Sequence, residues 1–306
     1  MRAVYSTKLG SAYCADSLTF MRSTPDQSVD LVITSPPFAL RRKKSYGNVS
    51  AEQYMDWFLP FAKEIYRILK PRGSFVLEIG GAWNKGQPTR SLYHFEVLLT
   101  LCNGYGLFRL AQEFYWYNPA KLPAPAQWVT VKRIRVKDAV NPIWWLSKTP
   151  NPLASNLRVL KPYTPSMENL LKHGYKSGLR PCEHMISTKW GTRHKGAIPS
   201  NIIIASNTAS SDSYLAACRS HDIKPHPARF VRDVPDFFIR FLTKPGQLVL
   251  DPFAGSNVVG AVAEKLERKW ISIDKNEEYV VGSAFRFNGC AEKALTRWKK
   301  QSLGSK

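Results

Sequence analysis

Short unbroken apolar runs recur along the chain: "DLVIT" at Asp30–Thr34, "SFVLEI" at Ser74–Ile79, "QLVLD" at Gln247–Asp251 and "KWISID" at Lys269–Asp274. Runs of this length without polar alternation predict strands buried on both faces of a parallel sheet. Between them the period changes. Residues 51–70, "AEQYMDWFLPFAKEIYRILK", and 257–268, "NVVGAVAEKLER", repeat apolar positions at helical spacing, and Pro71 and Gly73 close the first. Strand, helix and strand in succession predict an α/β fold. Two aromatic segments, "FYWYNP" (Phe114–Pro119) and "VNPIWWLSK" (Val140–Lys148), suit an antiparallel pair at the edge of that sheet. From Pro150 to His221 the pattern dissolves into Pro, Ser, Asn, Gly and basic residues, with only "NIIIAS" (Asn201–Ser206) strand-like. The expected organisation is therefore a first half at 1–149, a loop-rich insert at 150–221 and a second half at 222–306.

Charge narrows what such a fold would meet. The 306 residues carry 44 Lys plus Arg against 23 Asp plus Glu, a formal +21, which points to a polyanion and first to nucleic acid. The insert shares in this through Lys172, Lys176, Arg180, Lys189, Arg193 and Lys195. With Tyr175, Met185 and Trp190 to anchor it, it is expected to be a recognition surface. Five cysteines form no CxxC pair, which argues against a disulfide framework and fits a reducing cytosol. The start lacks a signal-peptide core and no apolar run approaches ~20 residues, so a cytoplasmic protein without a membrane partner is expected.

Two loops carry the chemistry. In "LVLDPFAGSNVVG" a small-residue loop links a buried strand to a helix, an arrangement that offers backbone N–H groups to a ligand. It departs from GxGxxG, and Asp251 at the strand end would repel a pyrophosphate. A cationic or zwitterionic nucleoside would be accepted instead, and Asp274, ending the next strand, is placed to hold ribose hydroxyls. S-adenosylmethionine (SAM) meets these demands. In "TSPPF", Pro36 and Pro37 lack N–H donors and fix their own backbone, so their carbonyls and the Ser35 hydroxyl form a rigid acceptor array beside the flat face of Phe38. Such a corner suits the exocyclic amine of a nucleobase.

"SPPF" at Ser35–Phe38 and "DPFAGSN" at Asp251–Asn257 resemble the two hallmarks of the SAM-dependent amino-group DNA methyltransferases, and their order resembles the circularly permuted β group. "CADSLTF" (Cys14–Phe20) is similar to the family's acidic segment beside the cofactor adenine, and "KPHPARF" (Lys224–Phe230) to the segment preceding the cofactor loop. The resemblance implies a permuted Rossmann-like methyltransferase sheet, mostly parallel with an antiparallel edge pair, interrupted by a target-recognition insert. It implies SAM as methyl donor, no metal, and double-stranded DNA from which the target base is flipped. Carried over residue by residue, Ser35, Pro36, Pro37 and Phe38 become catalytic, while Asp16, Asp251, Pro252, Phe253, Gly255, Ser256, Asn257 and Asp274 bind the cofactor. Asn257 stands where the family pattern has glycine.

Arg41, Arg42, Lys43 and Lys44, beside the catalytic corner, are expected to clamp DNA phosphates. "VKRIRVKD" (Val131–Asp138) alternates at strand period, which would turn Lys132 and the residues of its parity either toward a second stretch of DNA backbone or to solvent, and Lys132, Arg133 and Arg135 are taken as the candidate DNA contacts of this segment. Serine at the first motif position favours cytosine N4 over adenine N6, as in the modification enzyme of a prokaryotic or phage restriction-modification system with an independently acting endonuclease. Adenine N6 methylation, or a decayed and non-catalytic DNA-binding repressor, are the alternatives. "RPCEH" (Arg180–His184) lies away from any cofactor strand and is set aside as a C5-cytosine nucleophile. Cys182, His184, Cys218 and His221 have irregular spacing for zinc.

Overall fold

The computed structural model describes residues 1–39, 47–174, 177–208 and 212–304. In chain order the strands are β1 (Tyr5–Ser6), β2 (Gly10–Cys14), β3 (Val29–Thr34), β4 (Leu69–Glu78), β5 (Arg109–Tyr117), β6 (Val140–Ser147), β7 (Gly178–Leu179), β8 (Met185–Ile186), β9 (Ile202–Ile204), β10 (Leu248–Asp251) and β11 (Lys269–Asp274). The helices are α1 (Ser17–Arg22), α2 (Tyr54–Ile68), α3 (Tyr93–Leu99), α4 (Pro165–His173), α5 (Ser213–Ser220), α6 (Asp233–Leu242), α7 (Val258–Lys265), α8 (Glu277–Ser283) and α9 (Ala291–Gly304). One compact unit comprises Met1–Ala154 and Asn201–Lys306; the other is Ser155–Ser200.

In the first unit nine strands form one sheet, ordered β1-β2-β11-β10-β3-β4-β6-β5-β9. Strands β2, β11, β10, β3 and β4 run parallel, and β6 is antiparallel to both of its neighbours. All four apolar runs are strands of the parallel set, and every residue of β3 is buried. The antiparallel pair β5–β6 forms as expected but is not the outermost: β9, from the "NIIIAS" run, adds in parallel beyond β5.

Both faces are covered because both kinds of neighbour are amphipathic. Helix α2 buries Tyr54, Phe58, Phe61, Ala62, Ile65 and Ile68 at helical spacing, against Val32, Phe75 and Leu77. Helix α6 covers the opposite face, where Phe241 meets Trp145 at 5.1 Å and Phe238 meets Phe114 at 4.9 Å between ring centroids. The neighbour Trp144 faces the first side and joins the core beneath α2 and α3, as alternation along a strand requires.

The expected break after α2 is sharper than the pattern suggested. The helix stops at Ile68 and β4 starts at Leu69, so Pro71 and Gly73 lie inside a strand. Pairing with β3 jumps from Val29↔Leu69 to Leu31↔Ser74, and residues 70–73 bulge out where the missing N–H of Pro71 breaks no ladder bond. Asp30 stabilises this irregular start. It accepts two bonds from Lys70 Nζ (2.8 and 2.9 Å), one from Gln247 Nε2 (2.7 Å) and one from the Leu248 N–H (2.9 Å), so β3, β4 and β10 share one carboxylate.

The second unit, described by itself, holds α4, whose Thr164 cap accepts from the Met167 N–H, and the β7–β8 ribbon. Arg193 pairs with both carboxylate oxygens of Glu168 at 2.7 and 2.9 Å. Met185, expected to anchor this region, is instead exposed because its two-residue strand has no layer to pack upon. Tyr175, Lys176 and the side chain of Trp190 lie outside the described residues. Among the described residues no helix is long and apolar enough to cross a membrane.

Asp30→Ala leaves Lys70 and the amino end of β10 without their buried acceptor. It is expected to cost about 3 kcal/mol in urea unfolding while leaving ligand binding at the opposite edge of the sheet unchanged; a loss under about 1 kcal/mol would show that solvent replaces the carboxylate.

Candidate active site

Parallel strands release the chain at one edge, and here Cys14, Asp274, Asp251, Thr34 and Glu78 end β2, β11, β10, β3 and β4 side by side. Ligands of open α/β sheets bind at such carboxyl edges. A cavity of about 900 Å³ opens there, and Asp16, Ser35, Phe38, Asp251, Gly255 and Asp274 all line it. The two motifs, more than 200 positions apart in the chain, thus share one cavity.

The corner that follows β3 is held from two sides. Thr34, the last residue of the strand, donates its hydroxyl to Asp251 Oδ1 at 2.6 Å. The next residue, Ser35, donates its own to Glu78 Oε2, while Asn141 Nδ2 donates to Glu78 Oε1 at 2.6 Å. Burial raises the Glu78 pKa, the bonds from Ser35 and Asn141 pull it back, and the charge of Lys121 adds to that pull. Pro36 is buried, and the Phe38 ring lies on Gly80, where a Cβ would stand 2.5 Å from the ring. Tyr93 fixes that approach by donating its hydroxyl to the Gly80 carbonyl.

Glu78, Asn141 and Gly80 are absent from the motif-based set. The signal for Glu78 was available: a carboxylate within a run buried on both faces needs partners, and its burial is nearly complete. Nothing local marks Asn141 or Gly80.

The loop after β10 is built around three acidic residues. Asp251 accepts from Thr34 and from the Phe253 N–H (3.1 Å). Burial pushes its carboxyl up to about 7; the two hydrogen bonds lower it, and the nearby charge of Asp274 raises it further. Asp274 accepts the Gly255 and Asn276 N–H groups, both at 2.9 Å, which leaves part of its acceptor capacity for a ligand. Asp16 caps α1 by accepting from the Thr19 N–H and hydroxyl, which lower its pKa. Pro252, Phe253 and Ser256 line the same cavity. The Ser256 carbonyl accepts from Arg286 Nε at 2.7 Å, and Arg286 also lies 4.3 Å from the Tyr214 ring centre.

These residues fit SAM. Gly255 has φ +50°, and a Cβ on it would press on the His226 ring at 3.1 Å, so the backbone stays bare toward the ligand. Asp251 offers a buried partner for a cation, and Asp274 acceptors for hydroxyls. Asn257 does not join them: it is buried and lies outside the cavity lining. It takes the glycine-like conformation, φ +52°, and uses its side chain as the α7 cap, accepting from the Gly260 N–H (3.0 Å) and the Ser272 hydroxyl (2.6 Å) and donating to the Tyr5 hydroxyl (2.9 Å). The departure from glycine is therefore structural.

Of the expected DNA contacts, Arg41, Arg42, Lys43 and Lys44 lie outside the described residues. Lys132, Arg133 and Arg135 are described, but residues 131–138 form no strand. A π-helical turn (Gln127–Val131) ends there and the chain stays irregular, so apolar and basic side chains are exposed alike. Lys132 sits 5.0 Å over the Trp128 ring, and Arg135 Nε donates to the Pro88 carbonyl at 3.0 Å.

Asp251 titrates near 7 in the folded chain against 3.8 as its ordinary value. The folded state therefore holds an extra proton between those values, and the group's contribution to unliganded stability is full below about 4 and lost as pH rises through 7. A cationic ligand reverses the preference. SAM affinity, measured by calorimetry, is expected to fall about tenfold per pH unit below 7, and to lose that dependence in Asp251→Asn. Equal affinity at low and high pH would put the ligand's cation elsewhere.

A family model described as DNA methylase matches residues 29–284. Type II methyltransferase M.PvuII of Proteus hauseri is 49% identical over 300 residues, covering 96% of this chain and 89% of that protein. The solved structure of the PvuII DNA methyltransferase (cytosine-N4-specific) matches with a TM-score of 0.79 at 45% identity, over 100% of this chain and 96% of that one. The M1.HpyAVI–SAM complex shares the fold, with a TM-score of 0.51 at 18% identity, over 92% of this chain and 100% of the other. The family match and the end-to-end relative agree with the two motifs that the fold brings into one cavity, and the chain belongs to the N6/N4 DNA methylase family.

Proposed function

We propose that this chain transfers a methyl group from SAM to the exocyclic N4 amine of a cytosine flipped out of duplex DNA. It would act in the cytoplasm as the modification enzyme of a restriction-modification system, with a cognate endonuclease as its independent counterpart. The observation that carries the reading is the Ser35–Glu78 hydrogen bond in the lining of the SAM cavity. The relationship to M.PvuII, whose solved structure is named cytosine-N4-specific, supports the base.

A hydroxyl has one proton. Because Ser35 gives its proton to Glu78, only its lone pairs are left for a base, so it meets an amine as an acceptor. Asn141 holds the other Glu78 oxygen and so fixes the direction in which Ser35 points. The Pro36 carbonyl, which has no mobile atoms, serves as the second acceptor, and Phe38, pressed on Gly80, offers the face on which the base stacks. Two acceptors on the two amine protons draw the nitrogen lone pair out of conjugation with the ring. SAM supplies an electrophilic methyl and a neutral leaving group when bound.

As the N–C bond forms, the amine nitrogen becomes cationic and must shed a proton. Ser35 takes it on the oxygen that faces the base while passing its own proton to Glu78, whose burial already favours the protonated form. Serine alone is too weak a base for this step; the buried carboxylate behind it makes the relay feasible. Asp251 and Asp274, which line the same cavity, hold the cofactor, so the donor and the acceptor meet in fixed orientation.

Incubation with SAM and plasmid DNA, followed by nucleoside mass spectrometry, should yield N4-methylcytosine; N6-methyladenine would overturn the choice of base, and no methylated base would favour the binding-only alternative. Ser35→Ala and Glu78→Gln should each lower kcat about 100-fold with SAM affinity held within about twofold. In the double variant the two losses should not add, because each breaks the same relay; additive losses would assign the two residues separate tasks.

A further inference from the structure

The excursion between β5 and β6, residues 118–139, leaves the sheet beside the cavity and returns to it: Lys121 near its start and Asn141 just past its end both line the cavity. It is braced from within. Trp128 is buried and its carbonyl accepts from the Ile134 N–H at 2.9 Å; Arg90 and Asp138 pair at the return; and Arg135 is tied to Pro88. Yet Leu122, Val131 and Val136 stand 79%, 74% and 86% exposed among Lys132, Arg133 and Lys137. A single exposed valine needs no explanation. Three large apolar side chains on one braced, basic excursion that starts and ends beside the cavity do.

We propose that Val131 and Val136 form the wedge that enters the duplex where the target cytosine leaves it, with Lys132 and Arg133 on the flanking phosphates. The proposal rests on the base-flipping methyltransferase reading. Extruding a base breaks its stacking on both neighbours, and an apolar side chain in the gap restores part of that contact while blocking the base's return. Branched valines suit this because few rotamers are lost on insertion. The bracing supplies the stiffness that a wedge needs. The neighbouring cations give the loop its attraction to the backbone, which explains why basic and apolar residues alternate in a segment that is not a strand.

The test uses a duplex carrying the methylated site, mapped first with wild-type protein, with 2-aminopurine beside the target cytosine; this base brightens when it loses a stacked neighbour. With S-adenosylhomocysteine present, wild type is expected to raise the fluorescence at least about threefold. Val131→Ser/Val136→Ser should bind the duplex within about threefold of wild type, keep the wild-type melting temperature, and lose most of the rise together with most of its methyl transfer. A full rise in the variant overturns the wedge, as does loss of binding or folding in proportion to the lost rise, since either makes these valines ordinary contacts. A wild type that methylates without any rise overturns it too, whereas a wild type that neither methylates nor brightens the probe defeats the methyltransferase reading itself.

Discussion

The structure turns on what the last residue of one strand and the residue after it do with their hydroxyls. Thr34 reaches sideways to Asp251 on β10, and Ser35 reaches the other way to Glu78 on β4. Both carboxylates are buried, and a buried carboxylate without donors would cost several kcal/mol. The sheet order β10-β3-β4 is thus a chemical requirement as well as a packing solution: only a strand flanked by both carboxylates can satisfy the two from consecutive positions. One of those contacts spans 217 positions and the other 43, so the two motif loops are joined through one pair of adjacent residues.

Features that depend on neighbours in sequence were legible, and those that depend on neighbours in space were not. The four buried runs became strands because burial on both faces leaves a local mark. The SPPF corner and the DPFAGSN loop were recognisable because their chemistry is contiguous. Glu78 was passed over because its partners, Ser35 and Asn141, come from the corner after β3 and from β6. The 70–73 bulge was hidden because Pro71 reads locally as a terminator, while the Asp30 carboxylate keeps the strand going past it. Residues 131–138 show the opposite error. Their alternation is genuine, but alternation makes a strand only where one face has something to bury it, and here residues 131–137 are exposed on both sides.

Asn257 shows how a departure from a family pattern acquires a meaning. Glycine at this position gives access to positive φ; asparagine reaches the same region at a small cost and recovers it with three side-chain hydrogen bonds. Those bonds tie α7 to β11 and to the Tyr5 hydroxyl. They also demand that residue 260 be glycine, since a Cβ there would sit 2.2 Å from Asn257 Oδ1. Asn257 and Gly260 are therefore coupled, while Gly255 lines the cavity independently of them.

Charge is divided between surface and cavity in a way that sorts the two substrates. The chain as a whole carries +21, a field that draws in a polyanion from any direction. Inside the cavity the balance is different: Asp16, Glu78, Asp251 and Asp274 face Lys121, Arg229 and Lys275. A phosphate entering it would exchange the cationic surroundings of the chain as a whole for an excess of carboxylates, so the cavity disfavours the backbone of DNA. A neutral base feels no such penalty, while a sulfonium nucleoside is favoured by the same carboxylates. A base flipped out while its phosphates stay outside fits this division of charge, and three of the four carboxylates hold their places because they end β4, β10 and β11.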